Sequence, residues 1–179
     1  MSKVTKELSA VEVGATFEVA GMEFIKFPEI MGLTPVVAKD TVFDYEFGTN
    51  NDFRNSKVFE RLKEEILPGI IDAVGAESVC EFETDLTTLD GLKPYGVMRS
   101  KISLPTLDFY RENVAIFDEY KLDEWWWLAT PESAKPHSNP WWILCVSPSG
   151  NINLDFYYNG LGVRPLLYFV SSIFVSVEE

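Results

Sequence analysis

Histidine and cysteine are scarce in this sequence. Its 179 residues include one histidine, His137, and two cysteines, Cys80 and Cys145. One histidine and two distant cysteines cannot supply the ligands of an ordinary zinc site within one chain, so no metal or cofactor is expected. Both cysteines lie in apolar runs typical of strands, where buried and inert thiols are usual. Two cysteines also give no disulfide framework, which favours a reducing compartment.

Basic residues are also few. The chain has 15 Lys and Arg against 28 Asp and Glu, which gives a net charge of −13. Direct binding to nucleic acid requires clustered cations that displace counterions from the phosphates, and the sequence has no such cluster. The same deficit disfavours an anionic membrane surface. We therefore expect neither nucleic acid nor membrane as a direct partner.

Long apolar runs are missing as well. The longest, residues 165–177, is interrupted by three serines and is too short for a membrane-spanning helix. Residues 1–7 lack the apolar segment of a secretory signal. Together with the two cysteines, these absences predict a cytoplasmic protein.

The negative charge is concentrated in one part of the chain. Residues 40–91 contain thirteen acidic and four basic residues, a net charge of −9. One interpretation is a solvated face that keeps the protein in solution. The alternative is an acidic face for a basic partner. Its candidate residues are Glu77, Glu81, Glu83 and Asp85.

Apolar and aromatic residues are plentiful. Hydrophobic residues make up 46% of the chain and aromatic residues 14%, which suffices for a sizeable core and excludes intrinsic disorder. The pattern predicts a single α+β domain over residues 1–179. Its acidic, helix-containing part covers about 40–120, and its aromatic-rich sheet part covers about 121–179.

Turn signals divide the apolar pattern into strands and helices. Near-alternate apolar residues over 10–39 predict a meander of short strands with a turn at Ala20-Gly21. Asn55-Ser56 can supply the cap of a helix that starts near Lys57. Pro68-Gly69 is expected to interrupt that helix, and a short second helical turn is expected through Ile70, Ile71 and Val74 to Gly75. A second helix is expected after Pro105-Thr106.

A hairpin is predicted in the C-terminal third, where a Ser147–Gly150 turn joins two strands. In the returning strand, Ile152, Leu154 and Phe156 alternate with polar residues. This alternation predicts that the apolar residues face the core and that the polar residues face outward. The polar residues are Asn151, Asn153 and Asp155.

Tyrosine and asparagine are dense around this strand, and both residue types suit recognition. The expected binding face combines this strand with the loops at residues 157–161 and 131–140. Its candidate residues are Asn151, Asn153, Asp155, Tyr157, Tyr158 and Asn159. The alternative is that one tyrosine packs into the core and the other has no role.

The five tryptophans occur as Trp125-Trp126-Trp127 and Trp141-Trp142. Most of them are expected in the core, Trp126 and Trp127 as structural residues. A tryptophan that points outward near a loop would be a binding anchor.

Three motifs carry a resemblance to an uncharacterised domain family of Firmicutes and their phages, with the pattern W-W-L-R-S-P, V-x-S-D-G and G-V-R-P-A-L. In this chain they are Trp126–Pro131, Cys145–Gly150 and Gly162–Leu167. Further similar segments are Val13–Phe17, Glu23–Ile25, Thr84–Leu86, Asp90–Gly96 and Ser103–Tyr110. The departures are Ala129, where arginine is common, and Ser147–Gly150, where Asp-Gly is common. The C-terminal pattern also resembles the C-type-lectin-like superfamily, which includes formylglycine-generating enzymes and variable receptor-binding proteins of phage retroelements.

The resemblance implies a C-type-lectin-like fold with short twisted antiparallel sheets and two helices, which displays side chains on one face. It gives Arg164 a structural role near the closure of the domain, paired with a buried carboxylate or with backbone carbonyls. The cysteine pair of the formylglycine enzymes has no counterpart here, and the calcium- and sugar-binding tripeptide of true lectins is absent.

Three functional hypotheses follow. The leading one is a non-enzymatic binding module of a bacterium or its phage, cytoplasmic in the host, with an unknown protein partner. The second is an acidic phage-encoded inhibitor, similar to an anti-CRISPR protein, that mimics nucleic acid and blocks a host nucleic-acid-binding defence protein. The third is an enzyme with an unrecognised site. Steep salt dependence of binding would distinguish the second from the first.

Overall fold

The structure is a computed structural model that describes residues 3–135 and 140–178. Its first seven strands are β1 (Lys3–Glu7), β2 (Thr16–Val19), β3 (Met22–Lys26), β4 (Leu33–Ala38), β5 (Phe43–Glu46), β6 (Val79–Cys80) and β7 (Phe82–Asp85). The remaining strands are β8 (Val97–Ser100), β9 (Trp126–Pro131), β10 (Trp142–Val146), β11 (Ile152–Phe156), β12 (Gly160–Val163), β13 (Leu166–Val170) and β14 (Phe174–Glu178). The helices are α1 (Lys57–Arg61), α2 (Leu67–Val74), α3 (Leu107–Glu112) and α4 (Val114–Glu119).

The strands form three sheets. A seven-stranded sheet has the order β1-β14-β2-β3-β4-β13-β6, a five-stranded sheet has the order β11-β10-β9-β12-β5, and β7 pairs with β8. The described strand pairs are antiparallel except for β12 with β9. This α+β arrangement of mostly antiparallel sheets with few helices confirms the predicted class. Within the described residues, no helix is both long enough and apolar enough to cross a membrane.

The predicted strand meander is present as β2, β3 and β4. The turn between β2 and β3 has positive φ at both Ala20 (54°) and Gly21 (75°). Two consecutive left-handed residues match the right-handed twist of the strands that they join, so this turn closes a tight hairpin. Its position is the one predicted from the sequence.

The first helical segment begins as predicted but continues further. The Ser56 hydroxyl accepts a hydrogen bond from the Phe59 N–H at 3.0 Å and caps α1. Between α1 and α2, residues 62–66 form a π-helical turn, in which the Leu67 N–H donates to the Leu62 carbonyl. This wider turn precedes Pro68, which lacks an N–H and would clash with a carbonyl four residues earlier in an ordinary α-helix. The interruption expected at Pro68 is wrong, because α2 spans Leu67–Val74, whereas the helical turn expected through Ile70, Ile71 and Val74 to Gly75 is present as part of α2.

Both main sheets are covered on both faces in their central strands. Along β9, Trp127 is fully buried in the larger core cluster, and Trp126, its neighbour, is 2% exposed in the second cluster. Helices α1 and α2 pack on the larger cluster, and α3 and α4 supply Tyr110 and Phe117 to the second. Because successive side chains of a strand point to opposite faces, each central strand serves both clusters.

Arg164 lies between β12 and β13, where the chain passes from the five-stranded to the seven-stranded sheet. It is 1% exposed, and its Nε donates to the Ala38 carbonyl at 2.9 Å. Its guanidinium carbon lies 4.9 Å from the centre of the Trp126 ring and 5.6 Å from that of Phe117. Burial lowers the pKa of Arg164 to about 10. Of the two kinds of partner expected from the sequence, the structure contains the backbone carbonyl.

A second buried cation, Lys26, holds the N-terminal segment. Its ammonium donates to the carbonyls of Leu8 at 2.8 Å, Val11 at 2.7 Å and Ser9 at 3.3 Å. Burial lowers the pKa of Lys26. Three backbone acceptors satisfy the three N–H groups of one ammonium, so this side chain fastens residues 8–11 to β3.

Replacing this ammonium removes its hydrogen bonds to three carbonyls, of which the Leu8 carbonyl keeps the Val11 N–H as a donor at 3.2 Å. We expect Lys26→Met to lower the free energy of unfolding by about 1–3 kcal/mol, since a buried acceptor without a partner is costly. The matched control is Lys39→Met, which removes a surface ion pair with Glu23 and is expected to cost less than about 1 kcal/mol. Urea unfolding followed by tryptophan fluorescence measures both. Equal losses would show that the Lys26 contacts contribute no more than a surface pair.

Candidate functional site

Aromatic side chains gather at one end of the five-stranded sheet, where β10 begins and β11 ends. Trp141 lies immediately before β10, and Trp142 is its first residue. Phe156 is the last residue of β11, and Tyr158 lies in the turn that follows. These four residues are called the aromatic surface below. Tyr158 is 53% exposed and Trp141 is 42% exposed, while Trp142 and Phe156 are half-buried.

The register of the hairpin brings these rings together. Trp142 lies directly opposite Phe156 in the β10–β11 pair, with ring centres 3.8 Å apart. The Phe156 ring is stacked with that of Tyr158 at 5.1 Å and an interplanar angle of 9°, and it lies 6.4 Å from Trp141. Phe156 is thus the centre on which two exposed rings rest. The result is one continuous aromatic patch rather than single exposed side chains, which are common on any surface.

Buried amide groups hold the backbone beneath this patch. Asn51 is fully buried, and its amide donates to the carbonyls of Ser133 at 2.9 Å and Trp142 at 3.3 Å. The Tyr95 hydroxyl donates to the Asn51 side-chain oxygen at 2.7 Å. The Glu132 N–H also donates to the Trp142 carbonyl, at 3.1 Å. The aromatic surface therefore rests on a backbone that is fixed from inside the protein.

The polar side chains of β11 form hydrogen bonds within the chain. β11 is an edge strand. The Ser147 N–H donates to the Asn151 carbonyl, and the Tyr157 N–H donates to the Trp141 carbonyl. In an antiparallel pair, these two bonds determine which N–H groups of β11 face β10 and which face away. The N–H groups of Leu154 and Phe156 consequently point away from β10. The Leu154 N–H donates to the side-chain oxygen of Asn153 at 2.9 Å, and the Phe156 N–H donates to that of Asp155 at 2.7 Å.

These bonds occupy donors that another strand would need. An exposed edge strand is a template for strand addition, and side chains that cover its N–H groups oppose it. Asp155 also accepts from the Asn159 amide at 2.6 Å. Asn153, Asp155 and Asn159 thus have partners within the chain. At the turn, the Asn151 amide donates to the Ser149 hydroxyl at 2.9 Å.

Two orientations predicted for β11 are corrected. Ile152 was expected to face the core and is 38% exposed, because it begins an edge strand beside the Ser147–Gly150 turn. Phe156 was expected in the core as well and instead forms the centre of the aromatic surface. Of the two tyrosines, Tyr157 is half-buried against the larger core, and Tyr158 is the exposed one.

The sequence analysis missed Trp141 and Phe156 as site residues, although a signal for them was available. A four-residue turn at Ser147–Gly150 sets a register in which Trp142 opposes Phe156. That register places the Trp141-Trp142 pair beside Tyr157-Tyr158. Of the loop predicted at 131–140, residues 136–139, including His137, lie outside the described residues.

The predicted acidic face divides into two parts. Glu81, Glu83 and Asp85 are exposed on one side of the β7 region, while Phe82 and Thr84 between them are buried. These three carboxylates are called the acidic strand below. Glu83 pairs with Arg99 at 2.8 Å, and the Asp85 carboxylate accepts from the Thr87 hydroxyl at 2.6 Å. Glu77 is exposed as well, in the loop between α2 and β6.

The Cys145 thiol is poorly suited to nucleophilic catalysis. Cys145 is fully buried, and burial raises the pKa of its thiol to about 12. A thiol with such a pKa is not ionised near neutral pH and is a poor nucleophile. Within residues 3–135 and 140–178, no three His, Cys, Asp or Glu side chains are grouped so that they could hold a metal ion.

Comparisons of the chain with known protein families, with curated proteins and with solved structures find no match. The geometry of the aromatic surface and of the acidic strand is therefore the basis on which a function can be proposed.

Asp90 ties the segment beside the aromatic surface to the loop that follows β7. Its carboxylate accepts hydrogen bonds from the hydroxyls of Thr88 and of Ser133, the latter at 2.8 Å, and pairs with Lys135 at 3.0 Å. These donors hold the pKa of Asp90 at about 2, below its ordinary value of 3.8. A lowered pKa means that the ionised carboxylate stabilises the folded state.

This stabilisation is present above about pH 4 and is lost as the pH falls towards about 2. Asp90→Asn is therefore expected to be less stable than wild type at about pH 6, with the difference shrinking as the solution is acidified. Urea unfolding at several pH values measures it. Asp123→Asn, an exposed position, serves as the control. A difference between Asp90→Asn and wild type that stays constant down to about pH 2 would contradict the assignment.

Proposed function

We propose that this chain is a non-enzymatic binding module of a bacterium or its phage, and that it recognises another protein through its aromatic surface. The observation that carries the proposal is the stacked set of Phe156 and Tyr158 with Trp141 and Trp142, half open to solvent. Buried tryptophan and tyrosine dominate the binding energy of protein interfaces.

The rigidity of the patch supports this proposal. Ordering side chains on binding costs conformational entropy, and rings that are already stacked lose less of it. Tryptophan and tyrosine also offer a large contact area with only two rotatable bonds each. Because Asn51 and Glu132 hold the backbone of Trp142, the patch is preorganised.

For the framework, we propose a C-type-lectin-like fold. The Gly162-Val163-Arg164 motif, which the resemblance places on a strand near the closure of the domain, ends β12 and leads into β13. That segment connects the two main sheets, and β14 then pairs with β1, so that the last strand lies against the first. These features support the assignment.

The acidic strand supports a second candidate function, an acidic inhibitor of a host nucleic-acid-binding defence protein. Side chains two residues apart on a strand repeat at about 7 Å, so Glu81, Glu83 and Asp85 present evenly spaced carboxylates. A row of negative charges can occupy a basic groove that otherwise holds phosphates. This candidate predicts that binding weakens steeply with salt.

The two candidates are separated by variants of the full chain, immobilised and exposed to a host extract. We expect Trp141→Ala/Tyr158→Ala to lose a protein that wild type retains, by about tenfold or more in recovery. The matched control, Met31→Ala/Phe174→Ala, removes side chains that are 98% and 69% exposed elsewhere and is expected to keep that protein.

A third variant, Glu81→Gln/Glu83→Gln/Asp85→Asn, tests the acidic strand. If it alone loses the protein, the inhibitor hypothesis replaces the leading one. If the aromatic variant and its control lose the protein equally, the aromatic surface is not the binding site. Circular dichroism of each variant establishes that the fold is intact.

A further inference from the structure

Cations of this protein lie over several of its buried or half-buried aromatic rings. The guanidinium carbon of Arg61 lies 4.1 Å from the centre of the Phe43 ring and 4.4 Å from that of Tyr45. The Lys63 ammonium lies 4.6 Å from the Phe59 ring. Ring faces carry negative potential, so a cation placed over them is attracted and also shields the ring from water.

The exposed rings of the aromatic surface differ from these covered rings. Within the described residues, no lysine or arginine lies over the rings of Trp141, Phe156 or Tyr158. Two of these rings are nevertheless among the most exposed aromatic side chains of the described chain. The faces that would attract a cation are therefore open to one from outside.

Two acidic residues are bonded to the backbone of the patch. The Asp155 carboxylate accepts from the N–H of Phe156, and Glu132 is bonded through its N–H to the Trp142 carbonyl. Neither carboxylate forms an ion pair within the described residues. The net charge of −13 adds a long-range attraction for any cationic partner.

We infer that the aromatic surface binds an arginine-bearing segment of the partner protein, with a guanidinium stacked on the Trp141 and Tyr158 rings and the Asp155 and Glu132 carboxylates beside it. This inference rests on the proposed function and names the chemistry of the partner. Arginine is favoured over lysine because its guanidinium is planar, stacks on aromatic faces and is more weakly hydrated. Strand addition is disfavoured because the Asn153 and Asp155 side chains occupy the outward N–H groups of β11.

The inference is tested with two peptides that differ only in charge. One alternates arginine with glycine, and the other carries citrulline, the neutral isostere, at each arginine. Each is titrated into the full chain, and binding is followed by calorimetry and tryptophan fluorescence. We expect the arginine peptide to bind at least about tenfold more tightly, and its affinity to fall between about 20 and 200 mM salt.

Variants locate the binding site. Trp141→Ala/Tyr158→Ala is expected to weaken arginine-peptide binding by about tenfold, and Glu132→Gln by a few-fold. Tyr158→Phe keeps the ring without its hydroxyl and is expected to bind like wild type. The acidic-strand variant is expected to change affinity by less than about threefold. If that variant abolishes peptide binding and the aromatic variant does not, the inference is wrong.

Two results would overturn the inference while leaving the proposed function intact. If both peptides bind equally, or neither binds, while Trp141→Ala/Tyr158→Ala still loses the protein recovered from the host extract, the surface recognises a neutral segment. If light scattering shows a dimer that this double variant dissociates, a second copy of the chain is the occupant. If neither peptide binds, and if Trp141→Ala/Tyr158→Ala recovers the host protein as well as wild type does, both proposals are wrong.

Discussion

The guanidinium of Arg164 connects the two main sheets at the point where the chain passes from one to the other. It binds the Ala38 carbonyl at the end of β4 and packs against Trp126 of β9, so one side chain contacts both sheets. A buried cation is tolerated only where acceptors or polarisable groups compensate for its lost hydration. Because β10 pairs with β9, the β10–β11 hairpin that carries the aromatic surface is joined to this contact through β9.

The burial of both faces of the five-stranded sheet restricts where recognition can occur. Because Trp126 and Trp127 fill opposite sides of β9, no open sheet face remains for a ligand in that part of the sheet. The edge at β11 has its outward N–H groups occupied by Asn153 and Asp155. The end of the hairpin, where the aromatic surface lies, and the separate pair formed by β7 and β8 both present exposed side chains. The two candidate functions correspond to these two places.

Turns and helix caps could be predicted from neighbouring residues, whereas the exposure of strand residues depends on where the strand lies in its sheet. The Ala20-Gly21 turn and the Ser56 cap could be predicted because the residues that form them are neighbours in sequence. The exposure of Ile152 could not, because it depends on β11 being an edge strand, and strand order is set by contacts distant in sequence. For the same reason, the bonds that Asn153 and Asp155 form to backbone groups of their own strand could not be predicted, since they require N–H groups that face away from β10.

The π turn at residues 62–66 gives the first helical segment a fixed length. Deleting one residue there would restore ordinary α-helical geometry, in which Pro68 would clash with the carbonyl four residues earlier. Ile70, fully buried against the larger core, lies two residues after this proline, so the packing of α2 depends on the helix passing Pro68 without that clash. Homologues that keep this proline are therefore expected to keep the spacing between Ser56 and Gly75 unchanged. Distant relatives of this chain are better sought by that spacing than by residue identity.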